Sequence, residues 1–426
     1  MNQEVQTARE RIAKLAERYE GEALKSIHHL MGVEMLAYAY GELKECKSTG
    51  IDGQSKAEYG ENLPPKLEAL LGRVRKKEYR SPPVKRVEIP KGGGETRPIG
   101  IPTIEDKVLQ KAFVTLVEPV FEREFYDFSR GFRPGRNQHQ AIKELRKKLE
   151  WEGKWVIDLD IRKFFDTIPK GKLQEAFRKR IKDGVLDRLI VSWLNAGIMK
   201  NGNWEASEAG TPQGGVVSPL LANLYLHDVL DRWFVEDVQP HLKGESGMER
   251  YADDAVLYFD NQEDAQRVLE ALAKRLAEYG LKLHPEKTKL LDFRSPPRGG
   301  GRSTFDFLGF TFYWGKTRKG KDVVKVKTAR KKLTAKLNAM YEWCRTNRHK
   351  PMWEQRRQIE MKLKGHYQYY GVSFNYRSLH LYRQRVREMW RKWLNRRGGK
   401  PMTYESLDRY LKVFPLPRPT IKHRLF

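Results

Sequence analysis

Two carboxylates stand side by side at Asp253 and Asp254, inside the stretch Arg250-Tyr-Ala-Asp-Asp-Ala-Val-Leu-Tyr-Phe259. Val256, Leu257, Tyr258 and Phe259 read as a buried strand, so the acids sit at a strand mouth. Coulomb repulsion disfavours that arrangement unless a positive group comes to it. A polar hairpin turn is the plain alternative, because Asp is common in turns. A second acidic stretch lies earlier: Val156-Ile157-Asp158-Leu159-Asp160-Ile161 alternates at period two, which puts Asp158 and Asp160 on one face. Carboxylates on neighbouring strand ends can hold two Mg²⁺ ions about 3.5–4 Å apart and promote in-line displacement at phosphorus. Hard oxygen ligands suit Mg²⁺, which keeps waters and substrate phosphates as its other ligands. The like-charge strain of the pair then becomes attraction. This chemistry requires the strand bearing Asp160 and the hairpin bearing Asp253 and Asp254 to be adjacent.

The surrounding elements must position those acids. Residues 1 to about 70 show amphipathic helical spacing, in which the turn Gly50-Ile-Asp-Gly53 separates the first helices from the next. One helix and two short basic strands then flank Gly92, Gly93 and Gly94. A helix over Glu105–Phe125 and a Gly/Arg loop, Ser129-Arg-Gly-Phe-Arg-Pro-Gly-Arg136, lead to the Asp160 strand. The turn Gly210-Thr-Pro-Gln-Gly-Gly215 runs into a long apolar helix, and the acidic hairpin follows. A helix, a strand-like segment after His284-Pro285 and a short hairpin around Phe307 come next. From Lys316 onward the pattern is mostly helical and basic. Between Lys316 and Lys400 only Asp322, Glu342, Glu354, Glu360 and Glu388 oppose more than two dozen Lys and Arg. A solvated helix face is the usual meaning of such charge, but an acid deficit over a whole domain fits a phosphate-facing surface better.

Composition narrows the class. The 426 residues carry 82 Lys and Arg against 55 Asp and Glu, a net charge of +27. Self-repulsion of that size points to a polyanionic partner, with nucleic acid ahead of a membrane surface. No apolar run reaches the roughly 18 residues a membrane span needs. Two cysteines, Cys46 and Cys344, offer neither a disulfide framework nor a zinc site, and suit a reducing cytosol.

Seven motifs occur in a telling order: Glu95-Thr-Arg-Pro-Ile-Gly-Ile-Pro102, the Gly/Arg loop extended to Ile142, Asp158-Leu-Asp-Ile-Arg-Lys-Phe-Phe-Asp166, the Pro-Gln-Gly turn with its helix, Tyr251-Ala-Asp-Asp254, Leu283-His-Pro-Glu-Lys-Thr-Lys-Leu-Leu291 and Phe305-Asp-Phe-Leu-Gly-Phe310. In this order they resemble the reverse transcriptases encoded by bacterial group II introns, also called maturases, over nearly the whole chain. The resemblance implies an α+β right-hand polymerase. Its parts would be an N-terminal helical extension (1–70), fingers (71–150), a palm with an antiparallel sheet and a finger insertion (151–315), and a basic helical thumb or X domain with a C-terminal tail (316–426).

The resemblance also implies roles. Asp160, Asp253, Asp254 and the main-chain carbonyl of Ile161 would hold two Mg²⁺, with Mn²⁺ able to replace them. Asp158 would be a hydrogen-bonded structural acid, since the motif begins at Asp160. Lys91 and Arg97 would grip the triphosphate. Phe165 would lie under the incoming sugar and favour deoxynucleotides. Gln213 and Gly214 would let backbone approach nucleotide and template. Lys287 would protonate departing pyrophosphate as a general acid. Phe307, Leu308 and Gly309 would steady the primer end. The implied activity is RNA-directed DNA synthesis from a DNA or RNA primer with dNTPs on an RNA template, together with binding of structured intron RNA to promote splicing and mobility. The implied location is the bacterial cytosol or nucleoid, without membrane, as a monomer or homodimer. No HNH-like Cys/His cluster is present, which resembles the compact class C enzymes without an endonuclease domain. Two alternatives stay open: a domesticated reverse transcriptase in defence, CRISPR spacer capture or DNA repair, and an RNA-binding splicing cofactor without polymerase activity.

Overall fold

Four antiparallel strands carry both acidic stretches, in the order Lys289–Asp292, Trp155–Leu159, Asp254–Phe259, Ser246–Tyr251. The structure is a computed structural model and describes residues 2–45, 48–92, 95–200, 203–205, 214–294, 303–398 and 401–426. The period-two alternation works as the sequence predicts. Ile157, Leu159, Ala255, Leu257 and Phe259 enter one core, while Val156, Val256 and Tyr258 enter another. The sheet is therefore covered on both faces, and Asp158 and Asp160 point to the side of the second core.

The first core is built largely from helices. Ile104–Glu124 begins at Thr103, whose hydroxyl accepts from the Asp106 N–H, and Gln262–Glu278 begins at Asn261, whose side chain accepts from the Asp264 N–H. The second of these buries Ala265, Val268, Leu272 and Leu276, one stripe of a 3.6-residue period. The second core joins the helix Gln138–Trp151, with its Asn137/Gln140 capping box, to a C-terminal layer. That layer contains a three-stranded sheet (Phe305–Phe307, Phe310–Lys316, Asp322–Thr328) and the helices Arg330–Thr346, Met352–Tyr370 and Tyr376–Leu394. A separate hairpin, Val84–Gly92 with Glu95–Ile101, extends through Ile198–Lys200 and Asn203–Glu205 into a four-stranded sheet.

The class is α+β, as expected. Two local departures stand out. Asp322–Thr328 is a strand in a region read as mostly helical. It pairs along Phe310–Lys316 and buries Val324 and Val326 at period two, with Lys325 and Lys327 on the other face. The apolar helix after the glycine turn is regular over Ser218–Leu226, then widens into π-helical turns at His227–Asp231 and Trp233–Val238. No helix among the described residues is long and apolar enough to cross a membrane.

Candidate active site

The strand register brings the acids together. Leu159 pairs with Ala255, so the next step along the ladder sets Asp160 across from Asp254. Side chains so opposed have Cβ atoms about 4.5–5.5 Å apart. On the other side Asp158 pairs with Lys289, and the ladder then shifts across a turn at residues 284–288. From that turn the Lys287 ammonium reaches to 3.1 Å from Asp160 Oδ2. Tyr251 pairs directly with Asp254, leaving Ala252 and Asp253 as a two-residue turn. Ala252 takes φ 58°, a left-handed conformation uncommon outside glycine. Ile161 bridges Leu283 through the bonds of its neighbours: Arg162 N–H donates to Lys282 O at 2.8 Å, and His284 N–H donates to Asp160 O at 2.8 Å. That pairing does not use the Ile161 carbonyl.

The acids share one electrostatic field. Burial, then Asp253 and Asp160, push Asp254 up to about 6, against the pull of Lys332 and Lys287. Burial also raises Asp253, with Asp160 adding to it, while Arg97 and Arg250 oppose. Asp158 is affected most. Burial, then Asp254, Asp306 and Asp160, carry it to about 7, with Lys289 opposing. The sequence reading made Asp158 a hydrogen-bonded structural acid; the fold instead sets it half-buried among like charges. Among the described residues no three His, Cys, Asp or Glu side chains form a ready-made metal cage. The donor set still fits Mg²⁺, which binds through one or two carboxylates plus substrate phosphates and needs no all-protein cage. The ammonium on Asp160 shows that a cation is accepted there.

A buried network behind the turn escaped the sequence reading. Arg250 is fully buried and pairs with the equally buried Asp231, with Nε 2.8 Å from Oδ1. Burial pushes Asp231 up, but Arg250 and His227 outweigh it and hold the carboxyl below its usual range. Arg250 Nη1 donates to the Ala252 carbonyl at 2.9 Å and to Asn223 Oδ1 at 3.1 Å, and Asn223 Nδ2 donates to Gly131 O at 2.6 Å. Gly131 presses on the turn itself: a Cβ there would lie 2.2 Å from the Ala252 nitrogen. The available signals were the Arg immediately before the Tyr-Ala-Asp-Asp stretch and the glycine of the Gly/Arg loop. Neither announces its partner.

The remaining candidates fall into two groups. Arg97, exposed on the separate hairpin, acts on Asp253. Gly214 lies close against that hairpin: at φ +114°, a Cβ would meet Gly100 O at 2.4 Å. Phe165 is half-buried on the helical turn Phe164–Thr167, edge-on to the buried Phe164 at 5.3 Å. Gln213 lies outside the described residues, as does the side chain of Lys91. Phe307, Leu308 and Gly309 form a tight turn with φ 50° at Leu308 and 78° at Gly309. Phe307 is buried and anchors it. Tyr369 O–H donates to Leu308 O at 2.9 Å, and Ala329 N–H donates to Gly309 O at 3.0 Å. Burial, then Tyr370, Tyr251 and Asp254, push the Tyr369 phenol up to about 12, so this tyrosine stands between the turn and the acids.

Known proteins resemble this chain. Residues 89–312 match the family described as reverse transcriptase (RNA-dependent DNA polymerase). Protein YkfC of Escherichia coli strain K12 is 33% identical over 284 residues, 58% of this chain and 73% of that protein. The group II intron-encoded protein LtrA of Lactococcus lactis subsp. cremoris is 33% identical over 232 residues, 53% of this chain but 38% of LtrA. A 91 kDa protein in the cob intron of Schizosaccharomyces pombe is 31% identical over 240 residues, 54% of this chain and 28% of that protein. The chain thus spans well under half the length of the latter two.

Proposed function

The chain belongs to the reverse transcriptase family of RNA-dependent DNA polymerases, and from that premise we propose that it extends a primer 3′-OH with deoxynucleotides on an RNA template. The observation that carries this reading is the register that sets Asp160 across from Asp254, with Asp253 in the adjoining turn. Asp160, Asp253, Asp254 and the Ile161 carbonyl would hold two Mg²⁺. When bound, these would lower the pKa of the attacking hydroxyl and neutralise charge developing on the transferring phosphate. The chain's own groups do the positioning. Arg97 and Lys91, on the hairpin acting as fingers, hold the triphosphate. Gln213 and Gly214 would let the backbone approach the nucleotide and the template. Phe165 sits where a bulky ring would clash with a 2′-OH. Lys287 would hand a proton to departing pyrophosphate. The C-terminal layer acts as thumb, with the Leu308–Gly309 turn beside the primer end.

Binding of intron RNA through the same basic surfaces, in support of splicing and mobility, is part of the proposal. Its support is the likeness to LtrA and the +27 charge. Primer extension on an RNA template, compared between the parent and Asp253→Asn, tests the core reading. Equal extension by both proteins would remove the catalytic assignment. Absent extension by the parent with tight RNA binding retained would favour a splicing cofactor. Phe165→Ala should raise ribonucleotide incorporation, and an unchanged ratio would return Phe165 to a packing role.

A further inference from the structure

A cavity of about 570 Å³ opens between the three long helices of the C-terminal layer, within the range of roughly 300–1,000 Å³ typical of ligand sites. Its floor is aromatic. Tyr382 stacks on His366 at 3.9 Å and 21°, and Tyr370 lies 4.8 Å from the same ring. Tyr369 continues the series at 4.8 Å from Tyr370. Lys336 and Lys362 stand exposed at the rim, and the lining holds no acid.

Two features are unexplained by packing. His366 is 6% exposed, yet neither ring nitrogen has a hydrogen-bond partner. Buried polar groups are normally paired, so such an orphan wants an explanation. Burial, with help from Lys336, drives its pKa down to about 4, which keeps the ring neutral and able both to donate and to accept. Gly365 sits in the interior of the helix Met352–Tyr370, where glycine is disfavoured relative to alanine. A Cβ at Gly365 would meet nothing within 4 Å, so no neighbour demands glycine, and the space in front of it is cavity.

We propose that this cavity is a subsite for one unpaired nucleotide of a nucleic-acid strand, with the base against Tyr370, Tyr382 and His366 and the phosphate between Lys336 and Lys362. Stacking on aromatic faces plus a positive rim is how single-stranded nucleic acid is held without sequence reading. Tyr369 links the cavity to the Leu308 turn, so an unpaired nucleotide near the primer end is within its neighbourhood. The proposal rests on the reading that the C-terminal layer meets nucleic acid.

Photocrosslinking tests it. A short single-stranded RNA with one central 4-thiouridine, and its DNA counterpart with 4-thiothymidine, are irradiated on the full chain and the adducts mapped. The expected result is crosslinking to Tyr369, Tyr370 or Tyr382, falling about fivefold or more in Gly365→Leu, which fills the mouth. An unchanged melting temperature confirms that Gly365→Leu folds. Crosslinking by the RNA alone, the DNA alone or both supports the subsite and identifies its strand. Adducts confined to other segments, or a yield unmoved by Gly365→Leu, overturn it. Repeating the map in Asp253→Asn separates this from the polymerase reading: the crosslinks persist there even when extension is lost. A parent protein that binds neither oligonucleotide sinks the nucleic-acid reading itself.

Discussion

Replacing Asp158 with Asn should stabilise the protein at alkaline pH and spare its polymerase activity. Burial, then Asp254, Asp306 and Asp160, raise Asp158 from 3.8 to about 7. Between those values the unfolded chain has released the proton and the folded protein still holds it. Stability therefore falls as pH rises through that window and levels off above about pH 7. That rise, at 1.36 kcal/mol per pH unit, gives on the order of 4 kcal/mol as an upper bound, which water at this half-buried site reduces. Asn keeps the shape and removes the charge. Urea denaturation at about pH 8 should therefore find Asp158→Asn more stable than the parent by about 1–4 kcal/mol, and the gap should close toward about pH 4. Added Mg²⁺ should narrow it, because a cation offsets the same repulsion. Primer extension should stay within a few-fold of the parent, whereas Asp160→Asn should lose about a hundredfold or more. A less stable Asp158→Asn at alkaline pH, or a gap that ignores pH, would refute the electrostatic argument. An Asp158→Asn as inactive as Asp160→Asn would make Asp158 a metal ligand.

Arg250→Met strips the buried Asp231 of its guanidinium partner and leaves it only His227, 3.7 Å away, so unfolding free energy should drop by about 3–5 kcal/mol in urea titration. Arg250→Lys keeps the charge but not the fork that reaches both Asp231 and the Ala252 carbonyl; kcat for extension should fall about tenfold or more even where the protein remains folded. Gly131→Ala drives a methyl into the Ala252 backbone; a stability loss of about 1–3 kcal/mol with a matching fall in kcat is expected, and normal kcat would show that the turn tolerates displacement. His366 has a lowered folded pKa, about 4 against 6.5, so its contribution is complete above about pH 6.5 and is lost as pH falls toward 4. His366→Phe should flatten that part of the stability profile by on the order of 3 kcal/mol, read by denaturation at several pH values.

Much of the site was legible in the residue order. The alternation over Val156–Ile161 alone requires Asp158 and Asp160 to share a face, and Tyr251-Ala-Asp-Asp254 reads as a turn with acids at its tip. Both follow from local geometry, because side-chain direction along a strand depends only on neighbouring residues. The order of motifs is likewise a property of the chain, and the family comparison bears it out. Charge density masked one element: lysines alternating with Val324 and Val326 made a strand look like more basic helix.

The tertiary structure decided the rest. Only the folded sheet shows Asp160 facing Asp254 and taking up the Lys287 ammonium. Only the packed interior pairs Arg250 with Asp231 and wedges Gly131 beneath the turn. The raised pKa of Asp158 and the orphaned nitrogens of His366 belong here too. Which face a residue takes is set by its immediate neighbours, but burial and electrostatic field are sums over groups brought together from far along the chain, and no local pattern contains them.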